Sequence, residues 1–339
     1  MEAVLSDPQA HSSAHQNAEK SFSASDDLAL SADAVVFAGD KELSVETLEL
    51  KAPKSSDIVI DVEWSGVSTG TERLLWSGDM PPFPGMGYPL VPGYESVGRV
   101  VWAEDHKELI GQRVFAPGAN CYKNAHGLFG ATASRIILPA ERATPLDIAT
   151  PQEGVLLALA ATAYHAIVGG KPPDLIVGHG VLGRLLARIT MAMGHTPPNV
   201  WEIDPERADG DGYAVMEPDC DGRSDYQAIY DVSGAAGIID DLIAHMHPRG
   251  EIVLAGFYSE RPSFAFPLAF MKEARLRVEA EWKKPDLDGV LALLSSGKLS
   301  LDNLITHTID AACADEAYKT AFEDQSCLKM VLDWRHMNG

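Results

Sequence analysis

The stretch DLIVGHGVLGRLLARITMAM, residues 174–193, decides the fold. Four residues, Asp174 to Val177, read as a short β-strand, and an amphipathic helical pattern starts at Val181. Between them lie Gly178, Gly180 and Gly183, flanking Val181 and Leu182. In a strand-turn-helix unit these glycines serve a tight turn, close backbone approach to a pyrophosphate and close helix-to-strand packing. Free N–H groups and the helix dipole then favour anions at the start of the helix.

The next strand-like run, NVWEID at 199–204, ends in carboxylates at the place where a dinucleotide site needs one, about 20 residues beyond the glycines. Glu202 is the first choice and Asp204 the second. A carboxylate accepts hydrogen bonds from a ribose diol and repels a 2′-phosphate, so the pattern favours NAD over NADP; Arg207 is the one nearby group able to reach a phosphate. Further strands at AIYDVSG and EIVLAGFY put Ser233 and Gly256 at carboxyl ends of a parallel sheet, beside the same ligand or in ordinary turns. The helix GIIDDLIAHM between them is expected to end at Pro248–Gly250.

Upstream the pattern changes. AVVF, LSVETLEL and DIVIDVEWSGV are short alternating runs of an antiparallel β domain, and the Pro- and Gly-rich segment 78–98 reads as an ordered loop. Residues 1–32, rich in Ser, Ala, Asp and His, lack apolar periodicity and are expected to be a disordered tail. The division is therefore tail 1–32, β-rich domain 33–152, nucleotide-binding domain 153–279 and a return segment 280–339. The fold class is α/β: a doubly wound parallel Rossmann sheet plus a β-rich domain.

Composition bounds the function. A chain of 339 residues with 46% hydrophobic and 22% charged residues suits two globular domains. A net charge of −22 opposes nucleic acid and anionic lipid as partners. The most apolar stretch, 155–168, is too short to span a bilayer, so no integral membrane segment is expected. The four cysteines form no CxxC pair, and the start shows no export signal, which together point to the cytoplasm.

The segments GVSTGTE (66–72), PLVPGYESVGRV (89–100), LALAATAYHAI (157–167) and LITH (304–307), with the glycine motif, resemble the medium-chain dehydrogenase/reductase superfamily over residues 33–339. The resemblance implies a GroES-like catalytic domain followed by a Rossmann domain. In zinc-dependent members the first three segments supply a cysteine, a histidine and a cysteine. Here those positions hold Ser68, Tyr94 and Ala158, a poor donor set for zinc, so no metal is expected. Further segments, among them PGANCY, GLFGATASR and FMKEARLR, resemble a zinc-free branch acting on bacteriochlorophyll-type pigments. That implies a tetrapyrrole substrate whose 3-(1-hydroxyethyl) group is oxidised to 3-acetyl with NAD.

Without zinc, hydrogen bonds or a base must manage the alcohol proton. By resemblance Tyr94 and Glu95 face the nicotinamide, with Ser68 and Thr71 able to complete a relay and His165 as another base; Tyr94 reads equally as a packed aromatic. Glu95 alternatively orients Tyr94 or pairs with Arg99 or Arg113, and His165, on a largely apolar helix, reads more readily as a satisfied core histidine than as a base. Thr162 is expected to contact nicotinamide. Trp76, Met80, Phe83, Met86 and Tyr88 are candidates for a flat apolar pigment surface, or pack beneath their loop. Phe257, Tyr258, Phe264, Phe266 and Phe270 form a second apolar group; by resemblance it makes subunit contacts, which suggests a homodimer. The competing functions are a zinc-free NADPH-dependent quinone or enone reductase and a non-catalytic dinucleotide-binding protein.

Overall fold

The computed structural model describes residues 30–81 and 85–337. Most of the expected tail, and Phe83, lie outside the described residues. The first strand, Ser31–Gly39, begins inside the segment read as tail because Ala32 is buried and pairs with Leu48.

The β-rich part holds two sheets. One joins Glu42–Glu49, Ser31–Gly39, Leu90–Val91 and His126–Gly127. The other is built on the long strand Asp57–Val67, which pairs antiparallel with Ser96–Ala103 and Arg135–Pro139. Residues 78–98 are not all loop, since Leu90–Val91 and the start of Ser96–Ala103 pair with neighbouring strands. The apolar residues Leu90, Val91 and Val97 are fully buried there, and burial overrides the local glycine and proline signal. Trp76, read with Met80, Phe83, Met86 and Tyr88 as part of one loop, belongs instead to the short helix Thr71–Ser77, closed by Gly78 in the left-handed conformation.

The nucleotide-binding part is a six-stranded parallel sheet. Leu175–Val177 lies at its centre. The chain runs outward on one side through Asn199–Trp201 and Ala214–Met216, and on the other through Tyr226–Asp231, Met246–Leu254 and Arg275–Val278. The order reverses between Leu175–Val177 and Tyr226–Asp231, and ligands bind at the carboxyl ends of strands at such a switch point. The helix expected to reach Pro248–Gly250 stops at His245, because the strand Met246–Leu254 begins immediately with the buried Met246.

The last sixty residues return to the first part. His307–Asp310 and Met330–Asp333 add to the sheet beside Asp57–Val67. The helix Lys284–Ser295 packs Leu287 and Val290 into the core that contains helix Leu157–Val168. That core also includes Trp64, Val97 and Phe115 of the β-rich part, so one apolar cluster ties the two together.

Candidate active site

The glycine turn is built for close approach. Gly178 has φ +99°, which favours glycine. A Cβ on Gly183 would lie 2.0 Å from the Gly178 carbonyl oxygen, so helix Val181–Ala192 can pack against the turn only with glycine there. A Cβ on Gly180 would meet nothing within 4 Å, and no side chain caps the helix start. Val181 is buried and Leu182 half-buried, and the N–H groups at this helix start are the ones that would hold a pyrophosphate.

Glu202 leaves the neighbouring strand end and accepts from the backbone N–H of His179 (2.9 Å), Ile203 (2.8 Å) and Asp204 (3.0 Å). The carboxylate is thereby fixed against the glycine turn. Asp204 caps the single turn Pro205–Arg207 by accepting from Glu206 N–H. On the other side of the switch point, buried Asp231 accepts from the backbone and hydroxyl of Ser233 and from the Tyr258 hydroxyl (2.6 Å). Its main-chain oxygen accepts from Gly256 N–H at 3.0 Å. Ser233 and Gly256 thus share Asp231 as anchor, which the sequence reading passed over.

The second group of residues sits at the head of helix Thr71–Ser77. The Tyr94 hydroxyl donates to Ser68 Oγ at 2.7 Å and also interacts with the Thr71 hydroxyl. The Tyr94 ring stacks edge-on against Phe129. Desolvation, with the Glu95 carboxylate adding to it, holds the Tyr94 phenol well above its usual value. At neutral pH Tyr94 is therefore a neutral hydroxyl that can both donate and accept.

Glu95 does not meet Arg99 or Arg113. Both arginines pair with Glu63 instead, and Glu95, just before the strand Ser96–Ala103, is buried away from them. Glu95 is fully buried and paired with Lys329, which also donates to the Val67 carbonyl at 3.0 Å. Burial pushes the Glu95 carboxyl up, against the pull of the ammonium group. Lys329, on the return segment, was not anticipated; its only mark in the sequence is a lone cation flanked by Leu328 and Met330. Glu72 is a second unanticipated group, four residues beyond Ser68 in a quoted motif. Its carboxylate accepts from Ser68 N–H (3.1 Å) and from the buried Tyr318 hydroxyl (2.5 Å). Burial raises the Glu72 carboxyl to about 7.

His165 stands apart from this group. Its ring nitrogens face Asp286 (2.9 Å) and Glu279 (3.3 Å), joining helix Leu157–Val168 to helix Lys284–Ser295. One turn earlier, half-buried Thr162 donates to the Ala158 carbonyl at 2.9 Å. The apolar loop residues turn toward the β-rich core: Met80 is buried, Trp76 packs on Phe322 at 5.5 Å, Met86 is half-buried, and Tyr88 donates to the Leu75 carbonyl at 2.5 Å. Phe257, Phe264, Phe266 and Phe270 are exposed.

The donor set does not suit zinc. Ser68 and Tyr94 are bonded to each other, Ala158 offers a methyl group, and Glu95 is held by Lys329. Among the described residues no group of three or more His, Cys, Asp or Glu could hold a metal ion.

A glycine cradle at the switch point of a six-stranded parallel sheet, joined to a β-rich domain carrying hydroxyl groups, defines a medium-chain dehydrogenase/reductase. Residues 54–148 match the family model for the alcohol dehydrogenase GroES-like domain. The same fold appears in an NADH-complexed alcohol dehydrogenase of Escherichia coli CFT073 (TM-score 0.76, 20% identity, covering 89% of this chain and 99% of that one). It appears also in an NADP-bound zinc-binding dehydrogenase of Sinorhizobium meliloti 1021 (TM-score 0.74, 17% identity, 90% and 99% covered). The 2-desacetyl-2-hydroxyethyl bacteriochlorophyllide A dehydrogenase of Rhodobacter capsulatus is 56% identical over 306 residues, 89% of this chain and 98% of that protein. Its counterpart in Cereibacter sphaeroides is 54% identical over 311 residues, with the same coverage. The chain belongs to the family of these bacteriochlorophyllide dehydrogenases, and it is an alcohol oxidoreductase.

Proposed function

We propose that this enzyme oxidises the 3-(1-hydroxyethyl) group of a bacteriochlorophyllide to 3-acetyl, giving bacteriochlorophyllide a, with NAD as hydride acceptor and without zinc. The observation that carries this reading is the 56% identity to the Rhodobacter capsulatus enzyme over 98% of its length. The Tyr94–Ser68 pair supports it chemically, as a hydroxyl relay at the zinc-ligand positions of metal-dependent relatives.

When bound beside the glycine turn, a nicotinamide dinucleotide would supply the hydride acceptor for the carbinol carbon. Tyr94 accepts the proton of the substrate hydroxyl while its own proton passes to Ser68 Oγ and the Ser68 hydroxyl proton passes on to solvent, so the proton leaves the site and no tyrosinate is stored there. Thr71 holds the Tyr94 hydroxyl in line. The Glu95–Lys329 pair fixes the strand start that carries Tyr94, and Glu72 fixes the Ser68 backbone. His165 takes a tying role between two helices, and Thr162 would contact a bound nicotinamide. The half-buried edges of Trp76, Met86 and Tyr88, left open where Met80 packs into the core, offer one side of the pigment site.

Glu202 supports NAD over NADP, because its position beside the glycine turn suits a ribose diol and repels a 2′-phosphate. A homodimer is supported by the edge strand Arg275–Val278, with exposed Leu276 and Val278, next to exposed Phe266 and Phe270. Four free cysteines support a cytoplasmic setting, and among the described residues no helix is long and apolar enough to cross a membrane. Turnover of the pigment alcohol by metal-stripped protein, with NAD compared with NADP, tests the reading.

A further inference from the structure

The second position of the glycine turn carries a fully buried histidine. Its Nδ1 lies 2.6 Å from the Arg207 carbonyl oxygen and its Nε2 2.8 Å from the Tyr213 hydroxyl. A carbonyl only accepts, so Nδ1 carries the proton and Nε2 accepts from Tyr213. Burial, the larger effect, lowers the His179 pKa and keeps this neutral tautomer.

The two partners stand at the two ends of a loop. Between Arg207 and Tyr213 the residues Ala208 to Gly212 are all exposed, so little apolar burial holds that stretch in place. Its charges are nevertheless arranged. Arg207 lies 3.6 Å from Asp204 and donates to the Gln325 carbonyl at 2.8 Å. Arg184, on the first turn of the cradle helix, is bonded to Asp209 of the loop at 2.7 Å and donates to the His179 carbonyl at 3.3 Å. Both arginines flank the His179 turn that Glu202 also binds, and each is satisfied by an aspartate.

We propose that His179 is a specificity-determining residue that pins the 204–213 loop, so that Asp204 and Asp209 keep Arg207 and Arg184 from serving a 2′-phosphate. The inference rests on the assignment of NAD above. A positively charged arginine released beside the ribose would offset the repulsion by Glu202, and a flexible guanidinium is well suited to grip a phosphate. His179 thus works through the loop and makes no contact with the dinucleotide ribose.

The test is fluorescence titration of the full-length protein with NADH and with NADPH, comparing the wild type with His179→Ala and Tyr213→Phe. The wild type should bind NADH more tightly. His179→Ala should narrow the ratio of the two Kd values at least fivefold, and Tyr213→Phe, which removes one of the two ties and keeps the aromatic packing, should narrow it by a smaller factor. A merely structural role would weaken both cofactors alike, and a ratio unchanged within twofold in both variants overturns the proposal. If His179→Ala does not fold, Tyr213→Phe decides alone. A wild type that prefers NADPH overturns the NAD assignment itself and is distinguishable from failure of the loop proposal.

Discussion

The hydroxyl of Tyr94 donates to Ser68 Oγ at 2.7 Å, joining two positions that the family resemblance matches to metal ligands of zinc-dependent members. Removing that hydroxyl leaves the ring packed on Phe129, so the fold should survive. Tyr94→Phe is expected to lower kcat about 100-fold, within the usual range for a proton-transfer group, while NADH affinity stays within about twofold. Steady-state kinetics with a cofactor titration checks this; full activity would return Tyr94 to a packing role.

Glu72 makes stability depend on pH in a definite direction. Its carboxyl is raised from 4.5 to about 7 in the folded protein, so between those values the folded chain holds a proton that the unfolded chain has released. Stability contributed by this group is therefore lost as pH rises through that window, by about 3 kcal/mol at most. Glu72→Gln should remove that slope. Urea unfolding of both proteins between pH 4 and 8 should show the variant gaining on the wild type as pH rises, whereas parallel curves would contradict the assignment.

The buried pair Glu95–Lys329 predicts a strong asymmetry between single and double variants. Lys329→Met leaves a buried carboxylate without its cation and should cost about 3–5 kcal/mol. Adding Glu95→Gln should recover much of that loss, because no charge then remains to be desolvated. A single variant that loses under about 1 kcal/mol would show that Glu95 is already neutral.

Glu202→Ala removes an acceptor from beside the glycine turn without touching the sheet core. The Kd for NADH should rise about tenfold, equivalent to about 1.4 kcal/mol, with a smaller effect on NADPH. An unchanged NADH affinity would move the ribose contact to Asp204.

Much of the nucleotide half was legible in the sequence because its signals are local. Three glycines, a strand before them and a helix after them need no distant partner to be read, and Glu202 follows by spacing. The catalytic half was legible only in part. Ser68 and Tyr94 stand out through family resemblance, but Lys329 lies 234 residues from Glu95 and nothing local marks the pairing. Glu72 and Tyr318, 246 residues apart, show the same difficulty. The Pro- and Gly-rich segment misled because turn composition is visible locally, whereas the burial that makes Leu90 and Val91 a strand is not. His165 drew attention as a titratable residue on an apolar helix, and its carboxylate partners Asp286 and Glu279 come from the return segment and the sheet edge.

The most direct measurement is optical: NADH formation when metal-stripped protein is mixed with NAD and 3-(1-hydroxyethyl) bacteriochlorophyllide a. Sustained turnover without added metal, with NADP a poor substitute, is the predicted result. No turnover until zinc is restored would contradict the hydroxyl relay at Ser68 and Tyr94, and no turnover under any condition would contradict the assignment of substrate.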